Sequence, residues 1–179
     1  MSSARALSPD IGDDAGDGAA VRAGEEVRVM AIRVATTDDA PALAQLLDAF
    51  NREFDSPTPG VAVLVDRLRR LLSGPATFAV LSEEPMGAVA LVSLRPSLWY
   101  DGAAAVLDEL YVVPDRRGQG IGGRLLAAVE AEVRHRGGRL VEINVDGQDV
   151  DARRFYVRHG YSDTDPGQSE PCLYYAKEI

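Results

Sequence analysis

Apolar residues recur with two periods along this chain, and the alternation between them marks out the elements. Residues 32–35 suit a short strand. Thr36-Thr37-Asp38-Asp39 then supplies a helix N-cap and early acids, and Leu43, Leu46, Leu47 and Phe50 continue at the i, i+3, i+4, i+7 spacing of one helical face. Asp55-Ser-Pro-Thr-Pro-Gly60 breaks that helix, and Leu64, Leu68, Leu71 and Leu72 mark a second. Residues 77–81 and 88–94 read as strands joined through Glu83-Glu84-Pro85. Asp101-Gly102 is a turn signal, so residues 91–99 are expected to pair with 104–113 as a long hairpin. Leu125, Leu126, Val129 and Val133 form a third helical face, closed by Gly137-Gly138. A strand at 140–145, a short helix capped by Asp151 and stopped at Gly160, and a last strand at 173–176 complete the order. That order, β-α-α-β-β-β-α-β-α-β, predicts an α/β domain with a mixed sheet and no internal repeat.

Composition narrows the classes. A chain of 179 residues, 46% apolar and 26% charged, is that of one ordinary globular domain with a substantial core. Residues 1–29, rich in Gly, Ala, Ser and Asp and without periodicity, read as a disordered tail before a domain at 30–179. No run reaches the roughly 20 apolar residues that span a bilayer, and Asp10, Asp13, Asp14 and Asp17 interrupt any signal-peptide core. The single Cys172 has no internal disulfide partner, which fits a reducing, cytoplasmic setting. A net charge of −9 is the wrong sign for wrapping nucleic acid and favours a cationic small molecule. His135 and His159, on different helices, suit helix C-terminal ends, and no His/Cys cluster has metal-ligand spacing, so no metal is expected.

The chemistry concentrates in residues 112–126, VVPDRRGQGIGGRLL, where Gly118, Gly120 and Gly123 spell G-x-G-x-x-G. A dinucleotide site would have the strand run almost directly into the first glycine, near the start of a larger parallel sheet. Here Pro114-Asp115-Arg116-Arg117 intervenes and the unit lies late in the chain. A purely structural turn has little use for Gly122 and Gly123 in a helix's first turn unless something approaches the backbone closely. A third reading is a pyrophosphate cradle. Amides from Arg117 through Gly118, Gln119, Gly120, Ile121, Gly122 and Gly123 would turn inward at a helix N-terminus, with Arg116, Arg117 and Arg124 adding positive charge.

The run LDELYVVPDRRGQGIGGRLL resembles the signature of the GNAT superfamily of acyl-CoA-dependent N-acyltransferases, with Arg117, Gly120 and Gly122 in its R/Q-x-x-G-x-G/A frame. DARRFYVRHGY, ending at Tyr161, resembles the family's A-x-x-F-Y-x-x-x-G-F/Y segment, and the element order matches over about residues 31–179. The resemblance implies a mostly antiparallel mixed sheet, splayed at a central parallel pair and flanked by helices. It also implies acetyl-CoA as co-substrate, a homodimer, and a cofactor path along the backbone of Leu110, Val112 and Val113 into the cradle, with the amide near Val112 meeting the oxyanion.

Acetyl transfer to an amine requires loss of the amine's proton, stabilisation of the oxyanion and protonation of the departing thiolate, with no covalent carrier such as Cys172. By resemblance Tyr156 is the general acid. Asp108 and Glu109 are costly between Leu107 and Leu110 unless used or solvated, and adjacent strand residues face opposite sides unless the strand is distorted. The resembled family's strand is bulged here. LWYDG before VLDELYV resembles more narrowly the spermidine/spermine acetyltransferase branch, where Asp108 replaces a longer Glu and would favour a water relay. Trp99 and Tyr100 could pack on an amine, in the core or at a dimer contact. The expectation is an N-acetyltransferase for a primary amine, most simply a small molecule. A CoA-binding sensor and a protein lysine or N-terminal acceptor are the alternatives.

Overall fold

The computed structural model describes residues 31–83, 86–165 and 167–177. The expected tail at 1–29 lies outside the described residues, as do Glu84 and Pro85 of the expected strand connection.

Five strands form one sheet in the order β1-β2-β3-β4-β5: β1 Ile32–Val34, β2 Thr77–Ser82, β3 Ala88–Pro96, β4 Ala103–Val112 and β5 Leu140–Ile143. All neighbours are antiparallel except β4 and β5, which run parallel. Helices α1 Ala40–Glu53 and α2 Val61–Leu72 cover one face, and α3 Ile121–His135 and α4 Val150–Arg158 the other.

Strands buried on both faces read as nearly continuous apolar runs, which is why β2 and β3 lack polar alternation. Phe78, Val80, Ala88, Ala90 and Val92 point to α3 and α4. Ala79, Leu81 and Val89 point to α1 and α2, against Leu43, Leu47 and Phe50. Before α1, the Asp39 carboxylate accepts from the Thr36 amide at 2.7 Å and from Arg33 at 2.7 Å, tying the helix entrance to β1.

Three expectations are corrected. The β3–β4 hairpin pairs Pro96 with Ala103, so the connection is a six-residue loop, 97–102, rather than a tight turn, and β3 stops before Trp99. Pro96 supplies no amide with which to carry the ladder further. Asp149, not Asp151, caps α4, its side chain accepting from the Ala152 amide at 2.9 Å. Residues 173–176 form no strand among the described residues. Leu173 is 72% and Tyr175 84% exposed, so this apolar run finds no face to bury.

Candidate active site

The central irregularity lies in β4. Leu107 pairs with Val92 and Glu109 with Leu91, so Asp108 is an extra residue without an opposite number, a β-bulge. The consequence follows from counting. Leu107 and Leu110 both reach the core under α3 and α4, and the two residues between them therefore share the other face. Asp108 and Glu109 stand together on the side of Leu91, Ser93 and α2, where they line a cavity of about 280 Å³ with Leu71, Thr77, Val106 and Asn144. The Ser93 hydroxyl donates to the Asp108 carboxylate, while burial pushes the Asp108 carboxyl above the ordinary range.

The bulge also marks where the sheet opens. β5 pairs with β4 from Ala104–Leu140 to Leu107–Ile143 and then leaves it. The Val113 amide donates to Gly87 at 2.9 Å, toward β3. Amides alternate between the two edges of a strand, so those of Leu110 and Val112 face the open edge. The pairing with β5 ends at Leu107, so neither has a ladder partner on that edge among the described residues, although both residues are buried. Buried unpaired donors are rare and point to a missing partner.

Tyr156, on α4, packs in the core cluster that holds Leu107, Leu110 and Val112 of β4. Its hydroxyl is buried and has no hydrogen-bond partner among the described residues. Burial raises the phenol well above the ordinary tyrosine range, and Tyr161, Asp149 and Glu109 push it the same way. The phenol therefore stays protonated at neutral pH.

The glycine turn follows β4. One 3-10 turn at Pro114–Arg116 leads to Gly118 (φ 77°) and Gly120 (φ 69°), both in the left-handed region that glycine adopts at little cost. Gly120 caps α3, and the first bond inside the helix runs from the Arg124 amide to the Gly120 carbonyl. Among the described residues the amides of Gly118, Gln119, Ile121, Gly122 and Gly123 have no acceptor. A helix start with unused amides and added loop donors has the form that suits an anion.

Several predicted cofactor residues also have partners within the chain. The Arg117 amide donates within the 3-10 turn to Pro114. Its guanidinium forms a two-pronged pair with Glu53 of α1 (2.7 and 2.9 Å), donates to the Val112 carbonyl at 2.9 Å and lies over the Tyr111 ring. Tyr111 donates to the same Glu53, and burial followed by the Glu53 charge holds its phenol at about 12. Arg124 reaches back to the Gln119 carbonyl at 3.2 Å. Gly122 and Gly123 admit α4: a Cβ on Gly122 would meet the Phe155 ring at 3.4 Å, and one on Gly123 would meet His159 at 2.8 Å. His159 is fixed there by its Nδ1 on the Phe155 carbonyl at 2.8 Å.

Trp99 and Tyr100 do not join the others. They sit on the hairpin loop, Trp99 86% exposed, outside the cavity lining. Cys172 is exposed and also lies outside it. Sequence reasoning missed Ser93, Thr77, Leu71 and Asn144 in the cavity wall, and Glu53 behind the turn. A hydroxyl in an apolar strand, Ser93 within LVSLR, is the one signal that could have found any of them. Among the described residues no His/Cys/Asp/Glu group could hold a metal, and no helix is long and apolar enough to cross a membrane.

Comparison with known proteins gives a consistent result. The Acetyltransferase (GNAT) family profile matches residues 41–161. An uncharacterized N-acetyltransferase, YhfO, of Bacillus subtilis (strain 168) is 29% identical over 146 residues, 80% of this chain and 97% of that one. The aminoalkylphosphonate N-acetyltransferase of Salmonella typhimurium is 47% identical over 55 residues, 31% of this chain and 36% of that one. A crystal structure of a candidate acetyltransferase from Arthrobacter sp. FB24 superposes with a TM-score of 0.80 at 49% identity, covering 87% of this chain and all of the other. These relatives carry the family and not the narrower spermidine/spermine branch.

Proposed function

From the premise that the chain belongs to the GNAT acetyltransferase family and is an N-acetyltransferase, we propose that it moves an acetyl group directly to the primary amine of a small molecule within a ternary complex. Acetyl-CoA, the co-substrate of this family, supplies an acetyl thioester already activated for attack.

The chain's unpaired donors fit such a group. The amides of Gly118, Gln119, Ile121, Gly122 and Gly123 match a pyrophosphate, and the open β4 edge at Leu110 and Val112 matches an extended polar chain. At that edge the Val112 amide is aimed where negative charge develops on the acetyl oxygen. Asp108 or Glu109, directly or through a water, takes the proton that the acceptor's ammonium must lose. The new N–C bond then forms as the C–S bond breaks. Tyr156 gives its proton to the departing sulfur, and its raised proton affinity keeps it in the donating form at neutral pH.

The observation that carries this reading is the bulge at Asp108, which sets both carboxylates on one cavity wall beside the unpaired β4 edge. The cavity, about 280 Å³, suits a small molecule better than an open groove for a protein chain. That the Salmonella typhimurium relative is an aminoalkylphosphonate N-acetyltransferase also supports a small-molecule amine. Thiol release from acetyl-CoA, measured with a panel of small primary amines and both substrates varied, tests the proposal. Turnover with intersecting initial-rate lines is expected. CoA binding without turnover on any amine would mark a sensor, and parallel lines would mark an acetyl-enzyme.

A further inference from the structure

Polar side chains fall in a line across three strands of the cavity wall. Thr77 of β2 stands opposite Ser93 of β3, and Ser93 stands opposite Val106 of β4. In a regular ladder residue 108 would come next on that face, opposite Leu91. The bulge gives that place to Glu109 and leaves Asp108 between the two pairs, with no opposite residue to set its side chain. Ser93 sets it instead, its hydroxyl donating across the strands to Asp108 Oδ2. A hydroxyl in the apolar run LVSL is costly to bury unless it is bonded, and here the bond goes to the bulge carboxyl. Both residues line the acceptor cavity.

We infer that Ser93 is a positioning residue for the transfer, holding Asp108 in place as the group that takes the acceptor amine's proton. The inference rests on the N-acetyltransferase reading and narrows it to one of the two acids. The acceptor enters as an ammonium. Its N–H bond breaks with the electron pair left on nitrogen, the proton passes to Asp108 directly or through a water, and the freed pair attacks the thioester carbon. Ser93 keeps its own proton throughout. Burial opposes the ionised carboxyl at 108, while Ser93, through its hydroxyl and its backbone, favours it. A carboxyl raised by burial is the stronger base once ionised, and the hydroxyl preserves the ionised form that the step needs. Glu109 is the other titratable group in the cavity wall among the described residues, and Arg95, two residues along the same face of β3, is paired with Glu142.

The test is the pH profile of kcat/KM for the fastest of a panel of small primary amines, beside an NMR titration of the Asp108 carboxyl carbon. The full chain is compared with Ser93→Ala, Ser93→Thr and Asp108→Asn. Losing the hydroxyl removes a bond to the ionised form, so the acid limb should move to higher pH by about half a unit or more. Ser93→Thr keeps a hydroxyl and should return the limb toward its parent position. At neutral pH Ser93→Ala should lower kcat about fivefold or more, with the KM for acetyl-CoA changed less than about twofold. Asp108→Asn should lower kcat about 50-fold or more, and adding Ser93→Ala to it should cost less than about twofold again. An acid limb unmoved by Ser93→Ala in a folded protein would overturn the inference, as would parent-like turnover by Asp108→Asn. An Asp108 titration that moves with Ser93 in a chain that acetylates no amine would leave the positioning standing and sink the transfer reading instead.

Discussion

Glu53 lies far from both acids in sequence, yet the structure makes it the anchor of the glycine turn. Replacing it with alanine removes both prongs of the Arg117 pair and the acceptor of the Tyr111 hydroxyl. The Arg117 and Glu53 side chains are only 16% and 26% exposed, so water replaces the lost partner poorly. A partly buried, two-pronged charged pair with one further hydrogen bond is worth about 2 kcal/mol net. For a domain of this size that corresponds to a fall in Tm of about 4–8 °C. The kinetic effect comes from the remaining bond, Arg117 to the Val112 carbonyl, which fixes the backbone where β4 hands over to the cradle. With the guanidinium no longer held, the KM for acetyl-CoA should rise about 5–10-fold, equivalent to 1–1.4 kcal/mol, with kcat changed less than about twofold. Glu53→Gln keeps an acceptor for Tyr111 and one for Arg117 and should recover part of both losses. Steady-state kinetics with acetyl-CoA varied, beside a thermal melt, read the two effects separately. A fall in Tm with an unchanged KM would show that the clamp only stabilises α1, and no change in either would refute the reasoning.

Other outcomes follow from the same geometry. Burial raises the Asp108 carboxyl in the folded state, so ionising it costs folding stability, and that cost is absent below the unfolded value and fully present above the folded one. Asp108→Asn, which still accepts from Ser93, should therefore melt higher than the parent at neutral pH, with the gain fading as pH falls through the carboxyl range; a gain that grows at acid pH would contradict the sign. Gly122→Ala meets the Phe155 ring and Val112 at ordinary contact distances and should change stability by less than about 0.5 kcal/mol. Gly123→Ala drives a methyl to 2.8 Å from the tethered His159 and should cost about 1–2 kcal/mol by denaturant titration; equal effects would contradict the packing role assigned to Gly123.

The sequence was legible where one period dominated. The helix faces of α1, α2 and α3 and the apolar runs of β2 and β3 each carry their pattern locally, and the structure places them as expected. The acids at 108 and 109 were legible as an expense needing an explanation, but alternation alone would have put them on opposite faces. The bulge that unites them is a matter of register with β3, which no local pattern encodes. Arg117 was read by its charge as a ligand for phosphates; its partner Glu53 is 64 residues away, so the clamp was invisible. Gly122 and Gly123 were read as needing a close approach, and the structure supplies one from α4, through Phe155 and His159. The strand expected at 173–176 failed for the opposite reason: a local apolar run was present, but no neighbouring edge pairs with it among the described residues.

The most direct measurement is turnover of the parent and of Tyr156→Phe at saturating acetyl-CoA and amine. Phenylalanine keeps the packing against Phe155 and Tyr161 and removes only the unpaired hydroxyl. The account predicts measurable transfer by the parent, a fall of about 100-fold or more in the variant, as for loss of a general acid, and a nearly unchanged KM for acetyl-CoA. Equal turnover in the two proteins would contradict it.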